Sequence, residues 1–118
     1  MNRVRLTFLL CISILGCRNT GHSSIKFSSP NGRWSLEATS DDPGAIGSAL
    51  TVVNLHLSQE GWNSENNVLI LPGAHTIRAH WENNSTVHIE CPQCPLGDAD
   101  LITIKKGPIN ILYDEASP

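Results

Sequence analysis

Apolar and polar residues alternate one by one along most of this chain, and that period constrains the fold more than any other feature. Trp34, Leu36 and Ala38 alternate with Arg33, Ser35 and Glu37. A strand writes one buried face this way, because successive side chains leave a pleated backbone on opposite sides. From Ala49 to Leu57, Val53, Leu55 and Leu57 share one face, with Asn54 and His56 on the other. Val68 to Leu71 is a short apolar run. Ile77, Ala79 and Trp81 oppose Arg78 and His80, and Val87, Ile89 and Cys91 oppose His88 and Glu90. Two more strands are expected at Leu101–Lys105 and Ile109–Tyr113. Turn chemistry separates the runs, at Ser29-Pro30-Asn31-Gly32, Asp41-Asp42-Pro43-Gly44, Gly61 to Asn67, Pro72-Gly73, Asn83-Asn84-Ser85, Pro95 to Asp98 and Gly107-Pro108. The pattern predicts an all-β fold, a small antiparallel sandwich or rolled meander of about seven short strands, with little or no helix. The interior is expected to hold Trp34, Leu36, Val53, Leu55, Ile77, Trp81, Val87, Ile89, Ile111 and Tyr113.

The chain opens differently. Arg3 and Arg5 precede an apolar run from Leu6 to Gly16. At eleven residues, the run is well short of the roughly 20 that cross a bilayer core as a helix. A basic start followed by a short apolar stretch reads as a cleaved export signal. Ile14-Leu15-Gly16-Cys17 resembles the lipobox of bacterial lipoproteins, with Leu15 bulkier than usual. The resemblance implies that Cys17 becomes the mature N-terminus and takes a diacylglyceryl thioether, with palmitate-type acylation. The rival is ordinary secretory cleavage near Gly16 or Thr20. The expected division is signal peptide 1–16, lipidated N-terminus and tether 17–26, and a single all-β domain 27–118. The expected location is the bacterial cell envelope. Arg18 stands where lipoproteins of this kind retained at the inner membrane often carry Asp, which favours the outer membrane in a host that has one.

Cleavage before Cys17 leaves 118 − 16 = 102 residues, enough for one modest core. Removing Arg3 and Arg5 leaves six Lys and Arg against eleven Asp and Glu, a formal charge of −5. Phosphate backbones are bound by clustered cations, so this balance argues against a nucleic-acid partner.

Ser29-Pro30-Asn31-Gly32-Arg33-Trp34 resembles the S-P-[DN]-G-[KR]-aromatic turn that opens a strand in TolB-type β-propeller blades. It also resembles the opening turn of small secreted or lipid-anchored bacterial domains of unknown function. In those an acidic Gly-containing loop follows (here Asp41 to Ser48), then a Trp hairpin (Trp81-Glu82-Asn83-Asn84) and a terminal strand ending in Tyr (Ile109 to Tyr113). A propeller needs at least four blades of about 40 residues, so only the turn is retained. The small-domain resemblance implies no activity, ligand or catalytic residue.

Several groups could carry chemistry. His88-Ile89-Glu90-Cys91-Pro92-Gln93-Cys94 holds both H-x-E and C-x-x-C, the pieces of zinc deaminases. There they open two separate helices, whereas here they abut on one strand, with His88 and Glu90 on one face and Cys91 on the other. If Trp81 pairs with Val87, then His80 falls opposite His88 and Arg78 opposite Glu90, about 5 Å apart at Cβ. Such a face could bind zinc, copper or a small ligand, with His56 as a third ligand if its strand is adjacent. The plainer reading is a solvated face with an Arg78–Glu90 ion pair, and since no spacing is characteristic of a zinc site, no metal or other cofactor is assigned. The loop Asp41-Asp42-Pro43-Gly44 lacks calcium-loop spacing. No G-x-S-x-G elbow or P-loop occurs, and no catalytic residue is assigned.

The favoured expectation is therefore a non-enzymatic, membrane-tethered domain. It would bind an envelope protein or component through a sheet edge, or through Trp62 in Glu60-Gly61-Trp62-Asn63. Trp62 could equally fold back as a lid on the core. The alternatives are ligand or metal binding at the His80–His88 face, and redox activity of the C-x-x-C pair.

Cys91 and Cys94 are expected to form a disulfide. Export places them in an oxidising compartment, Cys11 leaves with the signal and Cys17 is acylated, so each has only the other. A four-residue turn brings its end Cα atoms within about 7 Å, near a disulfide's span. Closing so short a loop contributes only about 2 kcal/mol on the chain-entropy estimate. Half of a zinc knuckle is a weaker reading, because no second cysteine pair exists. Thiol counting on purified, non-reduced, denatured protein should find neither cysteine free; two reactive thiols beyond Cys17 would refute the bridge, and rapid insulin reduction would favour the redox reading.

Overall fold

A computed structural model describes residues 23–41 and 48–114. The segment expected to be an export signal, Cys17 and most of the acidic loop lie outside them. Among the described residues nine strands follow one another: β1 (Ser23–Ser28), β2 (Trp34–Asp41), β3 (Leu50–Leu57), β4 (Asn67–Pro72), β5 (Arg78–Asn83), β6 (Thr86–Glu90), β7 (Leu101–Ile102), β8 (Lys105–Lys106) and β9 (Ile109–Asp114). The only helical pieces among the described residues are two 3-10 turns, Ser64–Asn66 and Leu96–Asp98. The fold is all-β, as the alternation predicts.

Two sheets enclose one core. The first has strand order β1-β2-β3-β4-β7, and the second β5-β6-β9-β8. The first four strands form an antiparallel meander, after which the chain crosses to build the β5–β6 hairpin. It returns to add β7 beside β4, then crosses again into β8 and β9. The segment read as one strand, Leu101–Lys105, is split by this second crossing. Thr103 donates its N–H to the Val68 carbonyl in the first sheet, while the Ile104 carbonyl accepts from Ile111 in the second. Local alternation cannot reveal such a switch. Nor does it reveal that β9 pairs with β6 in parallel, the departure from an otherwise antiparallel plan. A parallel pair needs a long crossover, which Cys91 to Pro108 supplies. The segment expected as tether also contributes, since β1 begins at Ser23 and pairs along β2 from Ser23↔Ser40 to Ser28↔Ser35.

The inward positions are those the alternation selects. Leu36, Val53, Leu55, Val87, Ile89 and Ile111 are fully buried, and Ile77 nearly so. Val68, Leu69, Leu71 and Ile109 join them. Trp34, Trp81 and Tyr113 are half-buried at the margin rather than enclosed. Each of the latter two has a polar tip, and each uses it to tie the sheets together. Trp81 Nε1 donates to the Phe27 carbonyl of β1 at 3.1 Å. The Tyr113 hydroxyl donates to the Thr103 carbonyl at 2.8 Å, and burial pushes its pKa up to about 12.

The turn at Ser29 to Gly32 is a third tie. Gly32 takes φ +75°, Ser29 Oγ accepts the Trp34 N–H at 3.1 Å, and Asn31 Oδ1 accepts the Arg33 N–H at 3.0 Å. Asn31 in turn donates its own N–H to Asn84 Oδ1 in the β5–β6 turn at 2.8 Å. The Ser29–Gly32 turn thus docks the two sheets.

Trp81→Ala should destabilise the protein by about 3 kcal/mol, the lower end of the range for a large aromatic because the ring is only half-buried. Trp81→Phe, which removes the hydrogen bond to Phe27 and keeps most of the ring, should cost about 1 kcal/mol. Urea denaturation read by far-ultraviolet circular dichroism measures both.

Candidate functional site

The outer face of the second sheet carries the densest group of ionisable side chains. Strand parity sends Arg78, His80 and Glu82 of β5, His88 and Glu90 of β6, and Leu112 and Asp114 of β9 to this side, opposite Val87, Ile89 and Ile111. The hairpin register agrees with the sequence expectation at every position: Arg78↔Glu90, Ala79↔Ile89, His80↔His88 and Trp81↔Val87.

The two imidazoles stack, with centroids 4.6 Å apart and planes 8° from parallel. Carboxylates surround them. His80 Nδ1 lies 2.8 Å from Glu90 Oε2, His88 Nε2 lies 2.7 Å from Glu82 Oε1, and His88 Nδ1 lies 3.2 Å from Asp114 Oδ1. Glu90 is therefore engaged by His80, and the ion pair expected with Arg78 is not formed. Ligating atoms of His80, Glu90 and Asp114 all lie within 4.8 Å of one another. The His80 side chain is 54 % exposed and that of His88 20 %, so the face is open to solute while the stack shelters one ring.

Two of these carboxylates were not selected from sequence. Glu82 shares the parity of His80 and could have been found by extending the alternation two residues. Asp114 could not, because it reaches Glu90 only through the parallel β6–β9 pairing, Glu90↔Asp114.

His56 does not join this face. It lies on β3 in the other sheet, with its side chain fully buried. Nδ1–H donates to the Leu57 carbonyl at 2.9 Å, and Nε2 faces Glu37 Oε1 at 3.2 Å. The polar side of β3 is closed because the chain after Leu57 folds back over it. Asn54 Nδ2 donates to the Asn63 carbonyl at 2.7 Å, and Ser35 and Ser58 share a hydroxyl hydrogen bond of 2.8 Å. The 58–66 segment is thus a lid, but Asn63 makes the contact and Trp62 stays 39 % exposed. Cys91 and Cys94 form the expected close pair. Their Cα atoms are 5.3 Å apart across a turn in which the Cys94 N–H meets the Cys91 carbonyl at 3.0 Å, and their sulfurs are at disulfide contact.

No protein-family model, curated protein or solved structure matches this chain. The functional reading rests on its own residues.

Hydrogen bonds that the His88 ring donates to Glu82, and after it to Asp114, raise the His88 pKa above its ordinary 6.5, against a smaller opposing effect of burial. A proton held more tightly in the folded state stabilises that state. This contribution is fully present below pH 6.5 and is lost as pH rises through the raised folded value. An NMR titration should place the His88 midpoint above 6.5, and Glu82→Gln should lower it. A wild-type midpoint at or below 6.5 would show that the carboxylates do not hold the proton.

Proposed function

We propose that this chain is an exported, lipid-anchored, non-enzymatic domain of the bacterial envelope that binds a divalent transition-metal ion on the outer face of its second sheet. The observation that carries this reading is the stacked His80–His88 pair with Glu90 and Asp114 drawn around it. Two imidazoles and two carboxylates make a borderline donor set that suits zinc or copper(II) better than calcium or magnesium, which prefer all-oxygen cages. Glu82 is placed to act behind the ligands. Accepting Nε2–H of His88, it would leave Nδ1 as the lone pair facing Asp114, the tautomer control common to metal-binding histidines. His80, Glu90 and Asp114 come from three adjacent strands backed by the core, with ligating atoms already within 4.8 Å of one another, and His88 would join them by turning out of its stack.

The lipobox-like tetrad ending in Cys17 supports the anchor. With β1 beginning at Ser23, the tether would be only a few residues long, holding the domain close to the bilayer. Exposure of Trp62 on its polar loop favours a second reading, contact with an envelope protein partner through that side chain.

Zinc or copper(II) at 100 times its Kd should stabilise the oxidised protein by about 2.7 kcal/mol, seen as a rise in Tm. His80→Ala and His88→Ala should each weaken binding by about tenfold or more. Cys17→Ser should move the protein from the membrane to the soluble fraction. An unchanged Tm with both metals would refute the metal reading, and unchanged fractionation would refute the anchor.

A further inference from the structure

At the end of β6, away from the stacked histidines, a second group of metal-ligating side chains converges. Cys91 is buried, 7 % exposed, and a ring nitrogen of His75 lies with both cysteine sulfurs inside a 4.8 Å cluster. His75 comes from the segment joining β4 to β5 and is held at two points, one of them braced by Gly73. Its N–H donates to Thr51 Oγ1 at 2.8 Å, and Thr51 Oγ1 donates to the Gly73 carbonyl at 2.7 Å. Its Nε2–H donates to the Pro72 carbonyl at 2.8 Å, which leaves Nδ1 as the nitrogen with a free lone pair. Gly73 makes this possible. It has φ +93°, and a Cβ there would sit 2.9 Å from His75 Nε2, so any side chain would push the ring aside. A cleft of about 380 Å³ opens beside the group, lined by His75, Arg78, Cys91, Pro92 and Gln93.

We propose that reduction of the Cys91–Cys94 pair turns this group into a zinc(II) site with two thiolates and the His75 imidazole as ligands, its fourth position open to the cleft. A dithiol reductant supplies two electrons and two protons, leaving as its own disulfide while Cys91 and Cys94 become thiols. Zinc then displaces the two thiol protons as the Zn–S bonds form. Tetrahedral zinc with Zn–S of about 2.3 Å and Zn–N of about 2.0 Å places its donor atoms about 3.5–3.8 Å apart, so opening the S–S bond within the 4.8 Å cluster needs only a small adjustment. In the oxidised state the sulfurs have no charge to offer, and the site does not exist. The domain would thus take up zinc at this end only under reducing conditions, independently of the sheet face.

The full-length protein in detergent tests this, using cobalt(II) as the probe and zinc(II) as the competitor. Fully reduced protein should bind one cobalt at this site, besides any on the sheet face, with a thiolate-to-cobalt charge-transfer band that excess zinc abolishes, and oxidised protein should show no such band. His75→Gln should weaken zinc binding to the reduced protein by at least about tenfold. Cys94→Ser should remove the band. The His80→Ala/His88→Ala double variant, which abolishes the proposed sheet-face site, should keep it, so failure of one site leaves the other testable. Absence of the band from reduced wild-type protein, or wild-type zinc affinity in His75→Gln, would overturn the proposal.

Discussion

The parallel pairing of β6 with β9 holds the second sheet together, and with it the His80–His88 face and the strand end that leads into Cys91. A two-stranded hairpin is marginal by itself in water, and β5–β6 would be no more than that without β9 along its other edge. The pairing matches Val87 with Ile111 and Ile89 with Tyr113 on the inner side, and Glu90 with Asp114 on the outer. One register therefore sets the core of this sheet and delivers the third carboxylate to the histidine face. Long-range pairing of this kind gains nothing until the intervening chain has been ordered, which makes the crossover through β7 part of the same cooperative unit.

The strand β6 divides its labour by parity. Val87 and Ile89 supply burial, worth about 1.5–3 kcal/mol per fully buried aliphatic side chain, while His88 and Glu90 stand outside and contribute little to stability. Exposed carboxylate–histidine pairs are weak because water screens them. The face can therefore be altered residue by residue without threatening the fold. At its C-terminal end the strand passes into Cys91, inward-facing and buried, where the disulfide pins the start of the crossover.

The first sheet treats its polar side differently. Asn54 and His56 are as buried as the leucines of the core: Asn54 donates to Asn63 of the covering segment and to Asn67 of β4, while His56 meets the Leu57 carbonyl and Glu37 within its own sheet. Burying a polar group without a partner costs several kcal/mol, so the 58–66 segment has a definite seat rather than a free path. Its one large side chain, Trp62, is left facing outward.

Alternation is a local property, and what it determined was local: which runs are strands, which side of each is apolar, the β5–β6 register and hence the meeting of His80 with His88, and the short reach between Cys91 and Cys94. The Asn83-Asn84-Ser85 turn fixes that register within a few residues, so no distant information was needed. Tertiary structure decided everything that depends on which strands become neighbours. It gave β9 to β6 in parallel and so brought Asp114 to the histidines; it made Ser23–Ser28 a strand by offering it the edge of β2; it split the run after Asp100 between two sheets. It also sent His56 into a buried pocket in one sheet and His75 to the cysteines at the end of the other. Side-chain periodicity specifies the face a residue takes on its own strand, but the identity of the neighbour is set by the energy of closing the chain around a common core, and no short stretch of sequence carries that term.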